Sequence, residues 1–83
     1  MTAATKWFLS IPQAESVNYL NIALADATTI EEAREDAETA GMDNFYAAGL
    51  EDSETVYATL YALTARGGLA HSECFPISGP EAY

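Results

Sequence analysis

The sequence predicts a small single-domain α+β fold, a three- to four-stranded sheet with two helices packed on one face. Three observations carry that expectation. Eighty-three residues allow one hydrophobic core and leave no room for a second, so residues 1–83 read as one acidic domain. Half of the chain, 49%, is apolar, and five tyrosines, three phenylalanines and one tryptophan supply the large side chains a small core needs. Stretches of β-favouring residues alternate with two stretches that carry helix starts and apolar spacing of 3.6 residues, which suits helices laid on a sheet.

The elements follow in order. Thr5 to Ile11, TKWFLSI, is aromatic and β-favouring and stops at Pro12, which predicts a strand. The segment AESVNYLNIALADA supports two readings. As a strand, Leu20, Ile22 and Leu24 alternate with Asn21, Ala23 and Ala25; as a helix, Val17, Leu20, Leu24 and Ala27 form a stripe that leaves Ile22 outside. Its alanines favour the helix, while the helix start that follows at once favours the strand, and the balance leans to strand. Thr28 with Glu31, or Thr29 with Glu32, has capping-box spacing, and Ile30, Ala33, Ala37 and Ala40 then fall on one helical face. Gly41 reads as the left-handed residue that ends this helix, and Asp43-Asn44 as a turn. Phe45 to Leu50 reads as a short strand. A second helix is expected from Asp52 or Ser53, with Val56, Leu60 and Leu63 as its buried stripe, Arg66 in its last turn and Gly67-Gly68 as its end. Leu69 to Ile77 forms the last strand, and SGPEAY, 78–83, reads as a flexible tail.

Charge is the unusual property. Thirteen acids face one lysine and two arginines, for a formal net charge of −10, beyond the magnitude of about 2–8 that solubility asks of a small domain. Nine of those acids lie between Thr29 and Glu54, with Arg34 as the sole basic residue among them. On the first helix Glu31, Glu35 and Glu38 form one row and Glu32 and Asp36 another, both away from the alanine face. Successive carboxylates in such a row stand about 4.5–6 Å apart along the axis, not far from the spacing of phosphates along a nucleic-acid strand. Like charges at this spacing cost a helix a few tenths of a kcal/mol per pair, which Arg34 can offset in part, toward Glu31 or Glu38. Glu51, Asp52 and Glu54 extend the block and also suit a helix N-terminus. The candidate site is therefore an acidic face made of Glu31, Glu32, Glu35, Asp36, Glu38, Asp43, Glu51, Asp52 and Glu54. Its bland counterpart is a solvated helix face that keeps the protein soluble.

Other chemistry finds little footing. So acidic a chain argues against direct contact with nucleic acid or an anionic membrane, both of which need basic surface. No calcium-loop pattern of spaced oxygen ligands around a glycine occurs, and no metal or cofactor is expected. His71 and Cys74 are the residues closest to a nucleophile–base pair, but three apart on a strand they face opposite sides, and Cys74 beside Phe75 reads as a small buried hydrophobe. No catalytic role is assigned, and the chain reads as a non-enzyme. Cys74 is the single cysteine, so no intramolecular disulfide forms. The segment MTAATKWFLSIPQA lacks a signal-peptide core, and no stretch approaches the roughly 18 apolar residues of a membrane span; a cytoplasmic protein is expected.

In size, charge and lack of a catalytic motif the chain resembles phage-encoded inhibitors of bacterial defence, the anti-CRISPR and DNA-mimic anti-restriction proteins. The resemblance implies ordered carboxylates that occupy a lysine- and arginine-lined groove built for DNA or RNA, within the cytoplasm of the host cell. The partner would be a basic protein surface of a nucleic-acid-binding defence complex. Two other readings stand beside it. In one, the acidic, lysine-poor surface is an adaptation to high internal salt; in the other, a small adaptor docks its acidic face on a basic protein unrelated to nucleic acids. A docking role predicts one continuous negative face, whereas salt adaptation predicts acids on every exposed surface.

Overall fold

The computed structural model describes residues 6–13, 18–50 and 55–79. Strands β1 (Lys6–Pro12) and β2 (Tyr19–Ala23) come first, then helix α1 (Ile30–Asn44), then strands β3 (Thr55–Leu63) and β4 (Leu69–Ser78). They form one four-stranded sheet in the order β2-β1-β3-β4, antiparallel throughout. Each end of the chain thus contributes a pair of neighbouring strands, and the two pairs join where β1 runs beside β3. The helix carries the chain from the β2 edge back to the middle of the sheet.

Alternation along each strand sorts side chains to two faces, because successive residues of a pleated strand point opposite ways. Trp7, Leu9 and Ile11 of β1 and Ala58, Leu60 and Ala62 of β3 are buried on the face that α1 covers. Ile77 of β4 joins them, with Leu20, Ile22 and Phe75 partly buried against the same core. The helix contributes Ala33, Ala37 and Gly41. Small residues there let the helix lie close: a Cβ on Gly41 would stand 2.7 Å from Ile77 Cγ2 and 3.1 Å from its Cβ. Phe45, fully buried just beyond the helix, plugs the end of this layer, and burial of a side chain that size is worth about 1.5–3 kcal/mol.

This architecture corrects the expectation of two helices. The segment TVYATLYAL is strand β3 and the described residues contain one helix. Val56, Leu60 and Leu63 do fall at helical spacing, but Val56, Ala58, Leu60 and Ala62 alternate equally well with Tyr57, Thr59, Tyr61 and Leu63. Tertiary pairing on both sides, with β1 and with β4, selects the second pattern, and the β-branched and aromatic content agrees with it. The expected start of that helix at Asp52 or Ser53 lies outside the described residues. Gly67-Gly68 therefore ends a strand rather than a helix. Gly67 has φ +85°, and the loop closes through Thr64 N–H to Gly68 O at 2.8 Å and Gly67 N–H to Thr64 O at 2.9 Å. Arg66 sits exposed in this hairpin loop and caps no helix.

Three smaller expectations change with it. Gly41 is inside α1, chosen for close packing rather than for a left-handed φ, and the helix continues to Asn44. Phe45 to Leu50 is a run of turns instead of a strand, closed by Leu50 N–H to Phe45 O at 3.3 Å and by Gly49 at φ 78°. Of the ambiguous second segment, residues 19–23 are strand, as the alternation of Leu20 and Ile22 indicates, while residues 14–17 lie outside the described ones. The first and last strands stand close to where the sequence puts them.

Candidate functional site: the acidic face of the helix

The helix start is fixed by its own side chains. Thr29 is the N-cap, its hydroxyl accepting from Glu32 N–H at 3.2 Å. Glu32 turns back, and its Oε1 accepts from the Thr28 hydroxyl and from Thr28 N–H at 3.1 Å. Of the two capping pairs the spacing allows, the structure selects Thr29 with Glu32, extended by one residue to Thr28. These hydrogen bonds, led by that of the Thr28 hydroxyl, hold the Glu32 carboxyl below its ordinary range. It is ionised at neutral pH while serving as part of the cap.

With the helix register fixed, its carboxylates fan over the side away from the sheet. Glu31, Glu32, Glu35 and Glu38 are exposed, as is Asp43 in the last turn, and Asp36 is half-buried. At 3.6 residues per turn these six occupy roughly half of the helix circumference, opposite Ala33, Ala37 and Gly41. On the side toward β2, Asp36 and Asp43 line a shallow groove of about 360 Å³ together with Asp26 from the turn before the helix. Asp26, in a segment the sequence leaves open between strand and helix, stands in the turn before α1 and joins this acidic surface. Glu51, Asp52 and Glu54 lie outside the described residues. The structure therefore brings together six of the nine sequence-predicted residues and adds a seventh.

The one cation of the helix makes its hydrogen bonds away from this face. Arg34 interacts with Glu31 through charge, as the spacing allows, but its guanidinium reaches across to β4 and grips Glu73 as a fork, Nη2 to Oε1 at 3.0 Å and Nε to Oε2 at 3.2 Å. Glu73 also takes His71 Nε2 on Oε1 at 2.6 Å. Hydrogen bonds from Arg34 first, then from His71, hold the Glu73 carboxyl below its ordinary range, and the same Arg34–Glu73 bond raises the guanidinium. His71 leans on the Trp7 ring, centroids 5.6 Å apart, with the small Ala62 between them in the register making room. Glu31 still feels the Arg34 charge, but the guanidinium makes its hydrogen bonds to Glu73.

Sequence reasoning missed Glu73. A signal for it exists in LAHSECFPIS: alternation places His71 and Glu73 on the same face as Phe75 and Ile77, and a carboxylate on a packed face needs a cationic partner. The alternation does separate His71 from Cys74, as expected. Cys74, however, is exposed on the opposite face of the sheet rather than buried. Among the described residues no group of three His, Cys, Asp or Glu is arranged to hold a metal ion, and no helix is long and apolar enough to cross a membrane. No protein-family model, curated protein or solved structure matches this chain.

Proposed function

We propose that the protein is a non-enzymatic inhibitor that docks its acidic helix face into a basic groove of a nucleic-acid-binding defence complex, acting in the cytoplasm by mimicry of phosphates. One observation supports this reading above the others: the described carboxylates are one-sided. Six on α1 and Asp26 beside it share one flank, Glu73 is engaged beneath it with Arg34, and the uncovered face of the sheet carries none. A surface adapted only to salt would scatter its acids over both faces. Concentrated carboxylates without lysines create a field that steers a cationic target and binds it in a salt-sensitive way. The basic residues that normally hold phosphates would then hold Glu31, Glu35 and Glu38 instead.

The test is capture from a bacterial lysate on immobilised protein at low salt, followed by displacement with duplex DNA. The expected result is a nucleic-acid-binding complex that DNA and rising salt release, and that the triple variant Glu31→Gln/Glu35→Gln/Glu38→Gln fails to capture while retaining its circular-dichroism spectrum. Capture that ignores both DNA and the triple substitution would remove the helix face from the interface.

A further inference from the structure

We propose that the uncovered face of the sheet is a self-association surface on which a second copy of this chain packs, sheet against sheet. The face is built from the strand residues that point away from α1, and the pairing registers arrange them in rows. One row runs Asn21, Ser10, Thr59, Cys74; the next runs Ala23, Phe8, Tyr61, Ser72, with the Phe8 and Tyr61 rings stacked at 5.3 Å. Beyond the first, Tyr19 pairs with Pro12 and Tyr57 with Pro76, and both tyrosines are more than half exposed. In a chain of net charge −10, the described residues of this face include no carboxylate; its one charge is Lys6, at the end of β1. Depletion of charge with enrichment in tyrosine is the composition of an interface centre rather than of ordinary surface.

Charge and area both select a second copy as the occupant. Two copies meeting helix to helix would press their carboxylates together. Meeting sheet to sheet, they hold the two acidic helices on opposite outer sides, roughly 30 Å apart if each layer spacing is about 10 Å. That is several times the Debye length of about 8 Å at physiological salt, so repulsion between the copies is largely screened there, and it returns near 0.01 M where the Debye length is about 30 Å. Four strands averaging about eight residues present a face of roughly 500 Å², so a pair buries roughly 1,000 Å² in all. That sits at the lower edge of what a specific interface needs, which predicts a weak, reversible dimer. Such a dimer would present two acidic helix faces pointing away from each other. Its salt response is opposite in sign to that of the acidic face, since salt strengthens the dimer and weakens docking to a cation-rich partner.

Sedimentation equilibrium of the full chain at 10 mM and 0.5 M salt tests this, over protein concentrations up to 1 mM. The expected result is a monomer–dimer equilibrium whose Kd falls at least tenfold from low to high salt. Tyr57→Glu, which puts a carboxylate on the face, should abolish the dimer; Tyr46→Glu, with the same charge change outside the sheet, should leave it. Capping Cys74 with a bulky maleimide gives a second disruption that needs no substitution, since the thiol is exposed on that face. A wild-type chain that stays monomeric at 1 mM in 0.5 M salt overturns the proposal. So does a dimer that survives both Tyr57→Glu and the capped thiol.

Discussion

Glu73 is the residue on which the charge arrangement turns. By taking the Arg34 fork it ties the helix to the edge strand and draws the hydrogen bonds of the one helix cation away from the row of Glu31, Glu35 and Glu38. Its carboxyl is held below the ordinary glutamate value of 4.5, so the stabilisation it gives is complete above that value and is lost as pH falls through the lower, folded one. Replacing Glu73 with glutamine removes this contribution. The melting temperatures of wild type and Glu73→Gln should therefore differ most at neutral pH and converge as the pH is lowered from 7 toward 3. A gap that stays constant over that range would mean the Glu73 charge is not what joins α1 to β4. Trp7 marks a cost at the same scale: its indole Nε1 is buried with no acceptor among the described residues, where an unmet donor is worth about 1–3 kcal/mol.

Among the elements, α1 is the one whose packing leaves least latitude. Gly41 illustrates how tertiary contact overrides propensity. Alanine is a better helix former than glycine by about 1 kcal/mol, so an exposed glycine in this position would invite replacement. Here the added methyl would meet Ile77 at its branched Cβ as well as at Cγ2, and a Cβ cannot move without its strand. The clash costs about 1–3 kcal/mol, partly offset by the ~1 kcal/mol of helix propensity, so Gly41→Ala should lower the urea unfolding midpoint. An unchanged or higher midpoint would mean that α1 shifts away from β4 without penalty. The helix was legible in the sequence because its signals are local: the Thr29–Glu32 cap and the alanine periodicity depend on no distant residue. TVYATLYAL was not, because its apolar residues satisfy both periods and only the partner strands β1 and β4 decide between them. That the six carboxylates of α1 lie away from its alanine face was legible for the same local reason as the helix. The Arg34–Glu73 fork joins residues 39 apart in sequence, and no local spacing announces it.

For the molecule as a whole, the separation of charge is the organising property. One sheet and one helix layer give a body of 41 × 27 × 18 Å, with the described carboxylates concentrated on the helix side and, opposite, a sheet face that carries none among the described residues. Acids packed at this density repel one another in the folded state more than in the expanded chain, so folding works against their field. Raising salt from 10 mM to 0.5 M should raise the melting temperature at low protein concentration, where the chain is monomeric. A melting temperature indifferent to salt would show that self-repulsion is a minor part of the stability. Burial supplies the opposing drive through Phe45, Leu9, Ile11 and Leu60, each fully buried.

The sequence by itself determined the charge, its concentration in the segment that folds as α1, the start of that helix, and the strands at residues 6–12 and 69–78. All of these rest on composition or on contacts within a few residues, which a linear reading captures. The tertiary structure alone decided that the central apolar segment is a strand, that Gly41 is a point of contact rather than an ending, and that Arg34 belongs to Glu73. It also decided that one face of the sheet has no carboxylate among the described residues. Each of these depends on which distant segment lies alongside, and the energy of a strand, a close helix contact or an ion pair is set by that neighbour.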